Sequence, residues 1–347
     1  MNRQLSFVIG SMAWIFVVLG SSCFRPDTPI AAPEIDDSEV IQQVAMGAWN
    51  EALNGIGYHN QVFLDLETGT MTSVERTSWD VGFEASNEGH HVILNTSNYM
   101  QAAATGSNDF ATVWTESEAQ SLSFDFDSAS GVLAHTRLAE WWSPEQQLAS
   151  EEVYIIDRGR DLDLKARGYQ KLQLLEVTSA GYTFRYGALD DPEGQLIQLD
   201  KNPSFNWIHF SMEMGTPVSV QPPKTDWDLQ FSYYSFRFPD GFPYYLTGVL
   251  TNRYQVRSAE ILDETKLWEE LSLADTTAFP FRSEIDEIGY DWKVYLFGPP
   301  AGFVVDSDRF FLVKDTEGLV YAIRFLDFYN AEGQKGFPQF TYRILTP

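Results

Sequence analysis

The pattern of hydrophobic and polar positions is clearest in an eight-residue stretch that the chain contains twice. Residues 224–231 read Lys-Thr-Asp-Trp-Asp-Leu-Gln-Phe, and residues 76–83 read Arg-Thr-Ser-Trp-Asp-Val-Gly-Phe. In both copies large apolar residues alternate with small or polar ones, which is typical of a strand with one buried face. The pattern therefore predicts two related strands in the two halves of the chain.

Other segments repeat in the same order around these two stretches. Residues 63–69 are echoed by 210–215, and residues 168–176 by 318–327. Each copy closes on aromatic residues two positions apart, Phe184 with Tyr186 and Phe340 with Tyr342. We interpret this order as an internal duplication, with a repeat too long for a solenoid. The predicted boundaries are a first β unit at 58–187, a polar linker at 188–204 and a second β unit at 205–347.

The predicted fold class is mainly β, with two tandem antiparallel-sheet domains and a short N-terminal helix. Turn residues recur between short apolar segments, and aromatic residues make up 15% of the chain, which favours sheets over a helical bundle. The helix is predicted at 38–55, where Ile41, Val44 and Trp49 fall on one helical face. A second, shorter helix is predicted at 263–273 from the spacing of its leucines and tryptophan.

The start of the chain predicts export and lipid anchoring. An apolar run at 7–19 is too short to span a membrane, but it suits a signal peptide, predicted here at 1–22. Small residues lead from it into Cys23, which resembles a bacterial lipoprotein signal, although Leu19 stands four residues before the cysteine instead of three. Lipidated Cys23 would then anchor the protein through a flexible tether at 23–37. Secretion with cleavage nearby and an idle Cys23 is the alternative.

Charge and composition exclude several function classes. The formal net charge of −26 repels phosphate backbones, so a nucleic-acid partner is not expected. Cys23 is the only cysteine, which rules out disulfides within the chain. The sequence contains no G-x-S-x-G, H-E-x-x-H, P-loop or Rossmann motif. We therefore predict that the protein is not an enzyme; a glycan hydrolase using surface carboxylates is the weakest alternative.

Histidine and methionine supply the candidate ligating side chains, since both can donate electron pairs to a metal. Each of them has an ordinary surface or core role as its simpler explanation. The candidates are His90, His91, Met100, His135, His209, Met212 and Met214.

The duplicated pattern resembles the HmuY family of haem-binding lipoproteins of Gram-negative envelopes. The resemblance covers almost all of the second unit, through Ile-His-Phe-Ser at 208–211, Asp-Trp-Asp at 226–228, Gly-Pro-Pro-Ala-Gly at 298–302 and Phe-Leu-Asp-Phe-Tyr at 325–329. In the first unit it rests on Trp79-Asp80, Asn95, Gly168 and residues 183–186. It implies an all-β fold, a location at the outer membrane or cell surface, haem as a cofactor and an outer-membrane transporter as a partner.

The chain departs from the family where haem iron is bound. The resemblance implies a histidine or methionine immediately before the Gly-Pro-rich turn, and this position is Phe297, which has no lone pair for iron. The other family ligand would fall upstream of Trp292, but residues 251–290 contain neither histidine nor methionine. The corresponding turn of the first unit, at 141–144, has no ligand either, and only His135 lies in the right neighbourhood.

Three arrangements for ligand binding remain open from the sequence. His209, Met212 or Met214 could reach across from the opening strands of the second unit. The first unit could hold iron through His135 with His90, His91 or Met100. Aromatic residues could instead line a groove that stacks a flat apolar ligand without a metal; these are Tyr233, Tyr234, Tyr244, Tyr245 and Phe297. We favour a binding lipoprotein that has lost the usual iron clamp, and the alternative is an interaction subunit of an uptake system without a small ligand.

Overall fold

The computed structural model describes residues 39–49, 57–262 and 264–346. The predicted signal peptide, Cys23 and the tether therefore lie outside the described residues. The described part is built mostly from antiparallel strands, which confirms the mainly β prediction. No helix in these ranges is long and apolar enough to cross a membrane.

Within the described ranges, twelve strands precede residue 201 and ten follow it. The first twelve are β1 Val40–Gln43, β2 Asn60–Leu64, β3 Met71–Glu75, β4 Val81–Glu84, β5 Val92–Leu94, β6 Gln101–Ala104, β7 Trp142–Ser143, β8 Leu148–Ala149, β9 Val153–Asp157, β10 Tyr169–Val177, β11 Gly181–Gly187 and β12 Gln195–Asp200. The last ten are β13 Trp207–Ser211, β14 Thr216–Val218, β15 Leu229–Arg237, β16 Pro243–Thr251, β17 Arg257–Leu262, β18 Lys293–Leu296, β19 Gly302–Val305, β20 Arg309–Lys314, β21 Val320–Tyr329 and β22 Lys335–Ile344.

Helical structure in the described residues is limited to short segments. One α-helix, α1, spans Glu116–Gln120 and begins with a capping box between Thr115 and Glu118. The 3-10 segments are Arg76–Ser78, Thr96–Asn98, Leu133–His135, Ala139–Trp141, Trp268–Glu270 and Leu273–Ala278.

Two five-stranded antiparallel sheets each take most of their strands from one repeat. The first has the order β12-β11-β10-β9-β6, and the second has the order β1-β22-β21-β20-β17. The long strands β10 and β11 pair in the first sheet, and β21 and β22 pair in the second. Their buried faces carry aromatic residues, including Phe184 and Phe340, each without exposed surface. Each of the two sheets therefore packs on its own hydrophobic core.

The opening hairpins of the two repeats are exchanged. Strands β13 and β14 of the second repeat extend the sheet of β4 and β5, with His209 opposite Gly82. Strands β2 and β3 of the first repeat extend the sheet of β15 and β16, with Leu64 opposite Leu229. The two four-stranded sheets therefore each combine strands from both repeats, so that a hairpin of one repeat covers an edge strand of the other.

The duplicated tryptophans meet where the exchanged hairpins cross. Trp79 and Trp227 are both buried and belong to one small cluster with Phe63 and Val220. The Phe63 and Trp227 rings pack edge to face with their centroids 5.0 Å apart. Each tryptophan immediately precedes an aspartate and then a strand, so the repeated motif builds the junction between the two halves.

The N-terminal helix predicted at 38–55 is wrong for the residues that the structure describes. Val40–Gln43 forms β1, which pairs with β22 at the edge of the second five-stranded sheet. Val44 and Met46, two positions apart, are both buried. This spacing is typical of extended chain, in which alternate side chains point to the same face. The unpaired edge of β22 supplies backbone hydrogen-bond partners that local helical spacing does not reveal. Residues 50–56 lie outside the described ranges.

Two further boundaries differ from the sequence prediction. The predicted linker at 188–204 contains β12, whose Leu199 pairs with Tyr182 of β11. The second predicted helix is replaced by 3-10 turns at Trp268–Glu270 and Leu273–Ala278. Trp268 is buried there and packs on Phe310, so a tertiary contact decides the local conformation.

Candidate functional site

Strand β18 reverses the usual distribution of charged and apolar side chains. Its lysine, Lys293, is buried, whereas the three apolar residues that follow, Val294, Tyr295 and Leu296, are exposed. Phe297, directly after the strand, is 90% exposed. Lysine is seldom buried in proteins, and contiguous exposed apolar residues mark binding surfaces. We refer to residues 293–305, which comprise β18, the turn and β19, as the apolar hairpin.

A cleft of about 490 Å³ opens beside the apolar hairpin. This volume lies within the range of about 300–1,000 Å³ that small-molecule sites occupy. One wall is the hairpin from Leu296 to Val305, and the other comprises Leu326, Asp327 and Tyr329 of β21. The lining is mainly apolar, and its one carboxylate, Asp327, accepts backbone hydrogen bonds from Phe328 and Tyr329. Burial raises the pKa of Asp327. The apolar side chains that make up most of the lining favour an apolar ligand.

Aromatic contacts hold the hairpin against the core. Phe303 packs edge to face on Phe328, with centroids 5.0 Å apart, and its backbone N–H donates to the Tyr329 hydroxyl at 2.8 Å. Tyr295 contacts both Phe303 and the exposed ring of Phe297 at centroid distances of 5.0 and 5.1 Å. These contacts fix the base of the hairpin and leave the Phe297 ring free at its tip.

Lys293, the first residue of the apolar hairpin, lies among aromatic rings. Its Nζ donates to the Thr247 carbonyl oxygen at 2.7 Å and lies 4.4 Å from the centre of the Trp292 ring. The Phe328 ring centre is 5.0 Å away. Burial lowers the pKa of Lys293 to about 7, and the nearby charge of Asp291 only partly opposes this shift. The amine is thus far more easily deprotonated than that of a surface lysine, and it titrates near physiological pH.

The predicted ligating residues of the opening strands do not converge on this cleft. Met212 is buried in the core of the first sheet, together with Met100, while Met214 is exposed. His209 is buried with its ring edge to face against Trp79, 4.5 Å between centroids. Burial lowers the pKa of His209 to about 3, which keeps the imidazole neutral.

His209 lines a second, smaller cavity at the junction of the two repeats. This cavity has a volume of about 120 Å³ and is also lined by Trp79, Trp227 and Tyr233. It is too small for a drug-sized ligand, whose sites start at about 300 Å³. Its size suits a few water molecules, each of which takes about 30 Å³ in the liquid. The junction cavity is therefore a weaker candidate than the cleft.

The remaining histidines lie on the first repeat. The His90 and His91 rings are adjacent, with centroids 4.1 Å apart, and His91 Nδ1 lies 2.7 Å from the Glu84 carboxylate. Burial would raise the pKa of Glu84, but hydrogen bonds and charge from His91 outweigh it and lower the pKa to about 2. His135 is exposed in the 3-10 segment Leu133–His135. Across the described ranges, no three or more His, Cys, Asp or Glu side chains form a group that could hold a metal ion.

The predicted aromatic groove is divided among different environments. Tyr233 and Tyr234 are buried, and the Tyr233 ring stacks on Tyr245 at 4.1 Å. The Tyr245 hydroxyl donates a hydrogen bond to the Ser97 carbonyl oxygen, so it is already engaged within the protein. Tyr244 and Phe297 are exposed, on β16 and after β18 respectively. Of the predicted set, Phe297 alone lines the cleft.

Sequence reasoning missed most of the cleft. Leu296, Phe303 and Tyr329 line it but appear in the sequence as ordinary strand residues. One signal was available: Val-Tyr-Leu-Phe at 294–297 is a run of apolar residues that does not alternate, next to a Gly-Pro-rich turn. A continuous apolar run usually indicates a strand buried on both faces, so the sequence pattern alone points to the opposite environment.

We compared the chain with protein-family models and with known proteins. The family model described as "HmuY protein" matches residues 57–183 and 204–342. No protein among those with curated descriptions matches the chain.

Solved structures with similar chains have low identity and low TM-scores. Apo PinO from Porphyromonas gingivitis is 9% identical, with 89% of this chain and 97% of that chain covered and a TM-score of 0.27. A putative HmuY-like haem-binding protein from Bacteroides vulgatus is 11% identical, with 91% and 97% covered and a TM-score of 0.23. The apo HmuY analogue of Tannerella forsythia is 13% identical, with 90% and 100% covered and a TM-score of 0.23. Because the family model matches two regions that together span most of the sequence, the chain belongs to the HmuY family.

Proposed function

We propose that the protein is a non-enzymatic binding protein of the cell envelope that takes up haem or another flat, apolar ligand at the apolar hairpin. The inverted strand β18 carries this proposal, because it exposes Val294, Leu296 and Phe297 beside a cleft of ligand size. A monomer that had no use for this surface would lose solubility by exposing it. A flat ligand covering the three side chains would remove their apolar area from water.

Binding at this hairpin would use stacking without iron ligation. The family resemblance puts an iron ligand at the position of Phe297, and a phenyl ring offers no electron pair to the metal. The ring can stack on the face of a macrocycle, as aromatic groups do in offset or edge-to-face geometry. The same site would then accept a porphyrin with or without iron.

Export and lipid anchoring complete the proposal. The apolar run before Cys23 and the small residues next to it support a lipoprotein at the outer membrane or cell surface. Ligand captured there would pass to an outer-membrane transporter. The family's known members are binding proteins, which supports a non-enzymatic role.

An interaction subunit without a small ligand is the second candidate. It is favoured by a separate exposed aromatic surface at the turn between β15 and β16, where Phe242 and Tyr244 are exposed and the Phe238 ring contacts Tyr244. Such exposed aromatic residues are enriched in protein interfaces. This turn therefore offers a matched control for the ligand experiment.

The deciding experiment is a titration of the purified protein with haemin and, separately, with metal-free protoporphyrin. We expect both to bind with similar affinity and Phe297→Ala to weaken both about tenfold, equivalent to about 1.4 kcal/mol. Phe242→Ala should leave both affinities unchanged. Absence of binding by either porphyrin, or equal loss in the two variants, would contradict the proposal and favour the interaction subunit.

A further inference from the structure

The two repeats build the same hydrogen-bonded joint around their duplicated aspartates. An Asp80 carboxylate oxygen accepts the backbone N–H of Met212 at 2.8 Å, and an Asp228 oxygen accepts that of Leu66 at the same distance. Both aspartates are buried. In each case the donor lies just beyond an exchanged opening strand, β13 or β2. Asp80 and Asp228 are thus structural equivalents.

Neighbouring side chains confirm this equivalence. Asn95 donates through Nδ2 to the Trp79 carbonyl oxygen at 2.8 Å, and Asn252 donates to that of Trp227 at 2.7 Å. The Asn95 backbone N–H donates to the Asp80 carbonyl oxygen, and that of Asn252 to Asp228. The two joints can therefore be compared residue by residue.

Arg158 of the first repeat corresponds to Asp315 of the second. Arg158 directly follows β9, and its N–H donates to the Gly168 carbonyl oxygen, just before β10, at 3.0 Å. Asp315 directly follows β20, and its N–H donates to the Leu319 carbonyl oxygen, just before β21, also at 3.0 Å. A guanidinium in one repeat is replaced by a carboxylate in the other.

The charges of the first joint balance. Arg158 Nε lies 3.1 Å and Arg167 Nη1 3.0 Å from Asp80 Oδ1. Both arginines also approach Glu213, at 2.9 and 3.9 Å. Two carboxylates thus face two guanidinium groups. Asp80 and the two arginines are buried, where unpaired charge is costly, whereas Glu213 is mostly exposed.

The second joint lacks this compensation. Asp228 is 3% exposed and Asp315 is 1% exposed, and no Lys, Arg or His of the described residues forms an ion pair with either. Asp315 Oδ1 accepts the N–H groups of Leu319 and Glu317 at 2.7 and 3.0 Å. Its Oδ2 is buried without a hydrogen-bond partner. A buried carboxylate oxygen without a hydrogen-bond partner needs either a cation or a hydrogen-bond donor beside it.

We propose that a divalent cation of the calcium type binds between Asp228 and Asp315, in place of the Arg158 guanidinium of the first repeat. Two carboxylates carry two negative charges, so one divalent ion neutralises them as the two arginines neutralise Asp80 and Glu213. Calcium accepts carboxylate oxygens, backbone carbonyl oxygens and water in a flexible shell of six to eight ligands. Carbonyl oxygens and water would complete the shell here, since two side chains alone do not.

Among the described residues no cationic side chain forms an ion pair with Asp228 or Asp315, and Asp315 Oδ2 is buried without a hydrogen-bond partner. A cation bound there would supply the missing partner and would stabilise the folded protein by mass action.

The test is thermal unfolding of the exported chain at pH 7.5, after chelation and then with added calcium or magnesium chloride. At a hundredfold excess over Kd we expect calcium to raise Tm by about 4 °C. Asp315→Asn should abolish the rise. Asp315→Arg should reproduce the ion pair of the first repeat, with a raised Tm in chelator and no response to calcium.

Glu213→Gln, at the first joint, is the matched control and should retain the full response to calcium. An equal response in wild type and Asp315→Asn would place the bound ion elsewhere on the acidic surface and overturn the proposal. The proposal would also be overturned if neither ion changed the Tm of the wild type and its stability rose only as pH falls from 8 to 6. In that case a shared proton would bridge Asp228 and Asp315.

Discussion

The Asp80 carboxylate accepts a 2.8 Å hydrogen bond from the backbone N–H of Met212, across the boundary between the two repeats. The same carboxylate pairs with Arg158 and Arg167, which are themselves largely buried. One side chain thus joins an exchanged hairpin to the sheet that receives it. The exchange of hairpins makes this contact a property of the whole chain, and neither repeat can form it alone.

Neutralising Asp80 should therefore destabilise the protein strongly. Asp80→Asn keeps an oxygen for the Met212 N–H but leaves two buried guanidinium groups without their main partner, so we expect a loss of about 3–5 kcal/mol in unfolding free energy. Urea denaturation measures it. Asp226→Asn, at an exposed aspartate two residues before Asp228, should change stability by no more than about 0.5 kcal/mol. Similar effects in the two variants would contradict the role assigned to the joint.

Trp79 and Trp227 should be energetically coupled, because they share one cluster with Phe63 and Val220. Each tryptophan→Ala change should cost about 3–5 kcal/mol. Residues in contact, or around a shared cavity, give coupling energies of about 0.5–3 kcal/mol in double-mutant cycles. Urea denaturation of the two single variants and the double variant measures this coupling. Strict additivity would mean that the two tryptophans are not energetically coupled.

Lys293 should make stability rise with pH between about 7 and 10. Its pKa is lowered to about 7 in the folded protein, against an ordinary value near 10.5, so the unfolded chain binds the extra proton throughout that window. The contribution of the neutral Lys293 to stability is fully present above the unfolded pKa and is lost as pH falls towards 7. The unfolding free energy of the wild type minus that of Lys293→Met should therefore increase with rising pH, by up to about 1.4 kcal/mol per pH unit. A flat difference would mean that Lys293 is charged where it lies.

Phe297→His should install an iron ligand at the tip of the apolar hairpin. The side chain is 90% exposed, so the change should alter folding stability by no more than about 0.5 kcal/mol. Imidazole is a common axial ligand of haem iron. We expect a sharper, shifted Soret band with haemin and unchanged affinity for metal-free protoporphyrin. Identical spectra for wild type and variant would place the ligand away from Phe297.

The proposed lipid anchor would depend on Cys23, the only cysteine of the sequence. Cys23→Ala should move the protein from the membrane fraction to the soluble fraction of cells that express the full chain, because no thiol remains for acylation. Fractionation and immunoblotting measure the shift. Cys23→Ala that stays with the membranes would mean another mode of attachment.

The sequence by itself determined the duplication, the β class and the family. The position of Trp79-Asp80 and Trp227-Asp228 directly before a strand can be predicted locally, because the alternation of each strand is visible within eight residues. The sequence also shows a phenylalanine at position 297, where the family resemblance implies an iron ligand. These features depend on residue type and short-range periodicity, which a single chain displays directly.

Only the tertiary structure decided which strands pair and which side chains face outward. The exchange of opening hairpins depends on contacts between segments far apart in the chain, and no local pattern distinguishes pairing within a repeat from pairing between repeats. Val40–Gln43 became a strand for the same reason, because β22 presented an unpaired edge. The exposure of Val294 and Leu296, the burial of Lys293 and the like-charged pair at Asp315 all arise from packing that brings distant segments together. Their energetics depend on burial, which only the assembled fold defines.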